Sequence, residues 1–176
     1  MEMGPVDRIT ADAIGEAGMR TFYLQARAGD ELVTLIVEKE QVRLLATSVL
    51  ELLADLPLET ETGGDEELDL EEPIEPRWRA GRLSIGFDEE QDRFLLEITE
   101  FDPEIDEEDE GDPRSFREGE PETIRLWATR AQMLAFARHG TESVERGRPT
   151  CPLCGNPMDP EGHACPATNG HRKPRA

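Results

Sequence analysis

Three cysteines, the only ones in the chain, fall in one run, CPLCGNPMDPEGHAC, at Cys151, Cys154 and Cys165. A structural zinc ion wants four soft or borderline ligands in a tetrahedron, usually thiolate sulfur and imidazole nitrogen. The CxxC spacing of Cys151 and Cys154 lets two thiolates reach one ion across a tight turn. Gly155 permits the backbone turn that follows, where a Cβ would crowd. Asp159-Pro160-Glu161-Gly162 has turn composition, with Pro second and Gly fourth, and returns His163 and Cys165 toward the CxxC pair. The expected set is Cys151, Cys154, His163 and Cys165, holding one structural Zn2+. His171, six residues past Cys165, is the alternative fourth ligand. With four protein ligands no coordination position stays open, so the ion is expected to build structure rather than to catalyse. A Cys151–Cys154 disulfide competes with this reading, but no βαβ pattern of a redox domain precedes it. Buried thiols acting as small hydrophobes compete too, although such residues rarely gather among prolines and glycines.

Elsewhere the search for chemistry is mostly negative, and no catalytic residue is assigned. The chain has no GxSxG, no HExxH, no phosphate loop and no dinucleotide fingerprint. His139 is the one histidine outside the tail; near a helix end it is expected to favour the C-terminal dipole. Arg77, Arg79 and Arg82 surround Trp78. On a strand, Arg77 and Arg79 share one face and Trp78 and Ala80 the other. They suit a phosphate or carboxylate, but balancing the acidic segments is the stronger reading. Asp106, Glu108, Glu110 and Gly111 imitate the start of an EF-hand loop, yet position twelve is Arg117 where a bidentate Glu is needed. The cysteine–histidine spacing also departs from that of retroviral-type knuckles, so nucleic-acid binding does not carry over. Phosphate attraction demands concentrated positive charge, and His171-Arg172-Lys173-Pro174-Arg175 is too short to supply it.

The net charge of −21 over 176 residues is unevenly placed. Residues 59–75 hold nine acids and no base, and residues 102–120 ten acids against Arg114 and Arg117. The rest is close to neutral, so the acidity belongs to two segments rather than to the fold. Both are expected to be solvated, mobile loops. No apolar run reaches the length of a membrane span, and Met1 to Asp7 does not read as a signal peptide. With cysteines expected to stay reduced, the cytoplasm is the expected compartment.

These residues need a scaffold, and hydrophobic periodicity supplies its outline. Strands are expected over Asp7–Ala13, Thr21–Ala26 and Leu32–Val37, the last two joined by a turn at Ala28-Gly29-Asp30. From Lys39 the period changes: Val42, Leu45, Val49, Leu52 and Leu53 predict a helix ending at Leu56 before Pro57. Strands follow at Trp78–Phe87, Arg93–Phe101 and Glu122–Ala128. Thr129 then reads as the N-cap of a second helix ending at Gly147. Superposing Gln41 on Gln132, an offset of 91, lays Val33, Leu35, Val37 and Lys39 over Ile124, Leu126, Ala128 and Arg130. The expected fold is α+β: an antiparallel sheet with two helices packed on one face, with a duplicated β–β–α unit as one explanation of the offset, plus a C-terminal zinc knuckle. The expected division is an α+β domain over residues 1–148, with acidic loops at 59–75 and 102–120, and a zinc-knuckle tail over 149–176.

The stretches GEAGMRTFYLQAR (15–27), VEKEQV (37–42), RWRAGRLSIGF (77–87) and GRPTCPLCGNPMDPEGHAC resemble the actinobacterial domain-of-unknown-function family numbered 3090. The resemblance covers nearly the whole chain apart from the acidic segments. It implies no established activity. It does imply CxxC before HxC in the tail, which supports His163 over His171, and a motif surface including Arg20, Tyr23, Gln25, Lys39, Glu40, Gln41 and Arg79. It further implies company with a histidine-phosphatase-like and a lipid-kinase-like protein, hence a protein partner rather than nucleic acid or membrane. The functional expectation is an uncharacterised, zinc-stabilised binding or adaptor protein, more a non-enzyme than an enzyme. The alternative is an enzyme acting on a small phosphate- or carboxylate-bearing substrate, with Arg79, Lys39 and Gln41 lining its site. A third reading, an acidic mimic of nucleic acid, needs both acidic segments ordered on one face.

Overall fold

Alternating apolar residues in the strands and a 3.6-residue stripe on the helices set where the core forms. The computed structural model describes residues 1–57, 60, 68–103, 120–147, 150–156, 158 and 165–168. Its elements are β1 (Glu2–Met3), β2 (Arg8–Ile14), β3 (Thr21–Ala28), β4 (Glu31–Val37), α1 (Lys39–Asp55), β5 (Pro76–Asp88), β6 (Arg93–Glu100), β7 (Thr123–Thr129) and α2 (Arg130–Glu145). A short 3-10 helix follows at Pro166–Thr168. Each predicted strand and helix is present, displaced at its ends by at most two or three residues. Among the described residues, the two-residue β1 and the 3-10 turn, too short for any periodicity, were beyond sequence reading.

The seven strands run in the order β1-β7-β6-β5-β4-β3-β2. The sheet is mixed, not antiparallel as expected: β4 lies parallel to β5 and β1 parallel to β7. The reason is connection length. Hairpins join β2-β3-β4 and β5-β6 antiparallel, whereas the chain between β4 and β5 passes through α1, and such a crossover returns it in the same direction. β1 and β2 are one run of chain broken at Gly4–Asp7, and they pair with strands at opposite ends of that order. Val6 N–H donates to the Trp127 carbonyl at 2.8 Å and Asp7 N–H to the Arg27 carbonyl at 2.8 Å, so the sheet closes on itself through residues 1–14. Gly4 makes the passage possible. Its φ is +139°, and a Cβ there would sit 2.8 Å from Trp127 Cβ.

The two halves share one register, in β–β–β–α units rather than the β–β–α expected. Leu24 faces Leu35 as Leu96 faces Leu126, and Phe22 faces Val37 as Phe94 faces Ala128. The paired glutamines explain the repeated helix entry. Gln41 accepts from Glu38 N–H at 2.8 Å and donates to the Ala80 and Gly81 carbonyls. Gln132 accepts from Thr129 N–H at 2.9 Å and donates to the Val6 and Asp7 carbonyls. Each amide caps its helix and ties that end to the kinked strand alongside.

One apolar cluster fills the interior, including Ile9, Leu24, Leu35, Val49, Phe94, Ile98, Leu126, Met133 and Phe136. α1 buries Val42, Leu45, Ala46 and Val49, the stripe its periodicity predicts. α1 and α2 contact each other at Gly140, where a Cβ would approach Val42 Cγ1 to 3.2 Å. Among the described residues no helix is long and apolar enough to cross a membrane.

The acidic stretch 59–75 was expected to be free loop, and its described end is not. Gln25, fully buried, donates to the Glu71 carbonyl at 2.9 Å and accepts from Glu71 N–H at 2.8 Å. Thr10 donates to the Leu68 carbonyl at 2.5 Å and Arg8 to that of Asp69. Glu71 also lies 3.5 Å from Arg8 and 3.3 Å from Arg27. A buried amide and a nearly buried arginine need partners, and this segment's backbone provides them. The EF-hand-like positions Asp106–Arg117 lie outside the described residues.

Candidate functional site

The C-terminal turn is built as its sequence implies. Cys151 N–H donates to the Asn156 carbonyl and Gly155 N–H to the Cys151 carbonyl, each at 2.8 Å. Gly155 takes φ +72°, the left-handed conformation that costs glycine least. This turn and the start of the 3-10 helix bring three sulfurs together. Cys151 Sγ and Cys165 Sγ lie 3.8 Å apart, and the sulfurs of Cys151, Cys154 and Cys165 are all within 4.8 Å of one another. Two zinc–sulfur bonds of about 2.3 Å at a tetrahedral angle put their sulfurs about 3.8 Å apart, so the donor set fits a tetrahedral ion. All three are free thiols; no Cys151–Cys154 disulfide forms. His163 and His171 lie outside the described residues.

Backbone dipoles prepare the Cys151 sulfur. The N–H groups of Leu153 and Cys154 point at the Cys151 sulfur and, with the other two thiols, lower its pKa from the usual value of 9.0 despite burial. For Cys154 the Asn156 N–H pulls the other way, but burial and the neighbouring sulfurs prevail and raise its pKa. N–H groups aimed at sulfur favour thiolate, the form that binds metal.

Of the residues expected to line an anion site, two come together and one does not. Lys39 and Arg79 share a cavity of about 440 Å³ with Arg20, Glu38, Phe22, Ile36, Gly147 and Thr150. Gln41 is excluded, its amide taken up by the cap of α1 and the carbonyls of Ala80 and Gly81. Arg20, expected in the motif surface but not in the anion set, stands on the loop before β3 and joins this cavity. Arg79 meets Glu38 at 2.6 Å and Arg77 meets Glu122 at 2.8 Å, so both arginines pair with carboxylates, but with ones outside the two acidic segments they were expected to balance. Trp78 is buried and donates to Glu122 at 3.3 Å. The Arg77 and Trp78 hydrogen bonds hold the Glu122 carboxyl below its ordinary pKa, while Arg82 is exposed.

His139 does not serve the helix terminus as expected. Its Nε2 faces Asp12 Oδ2 at 3.2 Å, while Ser143 Oγ donates to Asp12 Oδ1 at 2.6 Å. Serine and histidine both address the carboxylate, and Ser143 is fully buried, so this is not a nucleophilic relay. It fastens α2 to β2. Asp69 lies beside them. Burial alone would raise the pKa of Asp12, but hydrogen bonds from Ser143, Ala13 N–H and His139 outweigh it and hold the group below 3.8. A depressed folded-state pKa contributes stability that is present above the unfolded value and lost as pH falls through the folded one. Asp12→Asn is therefore expected to lower stability at neutral pH by about 1–3 kcal/mol. In urea unfolding the gap to the parent should narrow as pH drops below 3.8. A gap independent of pH would refute the assignment.

A family model described as "Protein of unknown function (DUF3090)" matches residues 1–165. Comparison with curated proteins and with solved structures gave no match.

Proposed function

The chain belongs to this DUF3090 family, whose description assigns no activity, and from its own residues we propose that it is a zinc-stabilised binding or adaptor protein. One observation carries the reading: three sulfurs converge within 4.8 Å of one another, Cys151 and Cys165 at 3.8 Å, in a tail otherwise poor in apolar residues. The reading takes His163 as the fourth ligand of an S₃N set, on the turn composition of Asp159-Pro160-Glu161-Gly162 in the sequence. Closed coordination leaves the ion a structural role, and the reading takes the cytoplasm, where thiols stay reduced, as its compartment. Exposed apolar side chains at Met19, Leu44 and Leu153 offer contacts to a protein partner. Metal analysis of protein purified under reducing conditions tests the proposal. One zinc per chain is expected, and protein carrying no stoichiometric zinc defeats it.

A second reading, action on a small anionic compound, draws support from Lys39 and Arg79 lining one cavity. The one carboxylate among the lining residues, Glu38, is paired with Arg79 at 2.6 Å, so binding is better supported than turnover.

A further inference from the structure

The two halves of the fold differ at one equivalent place, and the difference is chemical. The residue before β6 is Asp92 and the first residue of α2 is Arg130; they form an ion pair at 2.6 Å, with the guanidinium stacked 4.9 Å over Phe87. The residue before β3 is Arg20 and the first residue of α1 is Lys39. Here two cations line one cavity where the other half has cation and acid. A Cβ placed on Gly147 would lie 3.1 Å from Lys39 Nζ and 3.3 Å from an Arg20 guanidinium nitrogen. Like charges gathered in one cavity cost free energy unless an anion joins them.

The rest of the cavity suits that anion. It opens at the carboxyl end of β4, beside the first turn of α1, where the helix dipole favours negative charge. Arg79 reaches in from β5, the parallel neighbour of β4. Arg20 donates one N–H to the Ser143 carbonyl at 2.9 Å and stacks 5.1 Å over Phe22, which fixes its plane while other donors remain. Lys39 has no ion-pair partner among the described residues. Three cations against the single Glu38 carboxylate leave two positive charges in the cavity lining, within a chain of net charge −21. A phosphomonoester carries about −1.5 to −2 at neutral pH, which matches. A volume of about 440 Å³ exceeds what a bare ion fills and lies in the usual range for small organic ligands, and Phe22 and Ile36 give an apolar wall.

We propose that this cavity binds a small organic phosphate through Arg20, Lys39 and Arg79. The inference deepens the second reading above and rests on it, without requiring turnover. Calorimetric titration of the full chain with phenyl phosphate tests it, with benzoate and inorganic phosphate as parallel arms. Phenyl phosphate is expected to bind saturably, inorganic phosphate to compete with it, and benzoate to bind at least about tenfold more weakly. Lys39→Gln should weaken phenyl phosphate binding by about tenfold or more, whereas Arg130→Gln, at the equivalent place in the other half, should leave it unchanged. Absence of saturation at millimolar ligand, equal loss in both variants, or benzoate binding as tightly would each overturn the proposal. Should Lys39→Gln fail to fold, amide shift changes in the parent decide. They must centre on Arg20–Phe22, Ile36–Lys39 and Arg79, and a centre elsewhere is equally fatal. Zinc measured on the same sample reports separately on the metal reading.

Discussion

Cys154→Ser is expected to reduce bound zinc from one ion per chain to less than about a tenth at micromolar protein, because apparent zinc binding free energies of ~10–16 kcal/mol depend on the complete ligand set. The CxxC turn explains why one sulfur matters so much. Cys151 and Cys154 are presented by a single hydrogen-bonded turn, and Cys165 closes toward Cys151 at 3.8 Å; removing any corner leaves too few soft donors. His163→Ala should approach the same loss, and His171→Ala should keep full occupancy. The reverse order would reassign the fourth ligand, and full occupancy in Cys154→Ser would remove the proposed site. The body of the fold is expected to survive zinc loss, because none of the three cysteines belongs to the main apolar cluster. Circular dichroism of the zinc-free variant provides that check.

Phe94→Ala should lower unfolding free energy by about 3–5 kcal/mol, the range for emptying a large buried aromatic site. Phe94 has no solvent exposure, pairs with Ala128 across β7 and meets Phe87 edge-on at 5.0 Å. It stands where both meanders and their helices share one interior, so the cavity left behind cannot collapse without moving several elements. Leu44→Ala, on the outer face of α1 and 53% exposed, should change stability by no more than about 0.5 kcal/mol. Denaturant unfolding followed by tryptophan fluorescence measures both. A loss below about 1 kcal/mol for Phe94→Ala would mean that the closed sheet does not form the interior described.

Much of this was legible because local rules act through few residues. Val42, Leu45 and Val49 recur at the helical period and are buried as that period requires. Thr129 caps α2 through its own hydroxyl, which accepts from Gln132 N–H at 3.2 Å, an interaction three residues long. The offset of 91 between Gln41 and Gln132 also reports a real equivalence, since both amides perform the same two tasks. The described end of the acidic segment 59–75 departs from its expectation for the opposite reason. Its side chains do prefer water, but its backbone satisfies Gln25 and Thr10, and composition says nothing about backbone partners. His139 misled similarly: position on a helix suggested the dipole, whereas its partner Asp12 lies 127 residues away.

The chain's own order of residues determined the elements, the helix caps and the cysteine cluster, because periodicity, capping and turn chemistry operate over spans of a few residues. Tertiary structure alone decided the parallel pairing of β4 with β5, the closure of the sheet through residues 1–14, and the meeting of Arg20 with Lys39 and Arg79. Those depend on which distant segments share the interior, and burying one continuous apolar surface fixes that for the molecule as a whole.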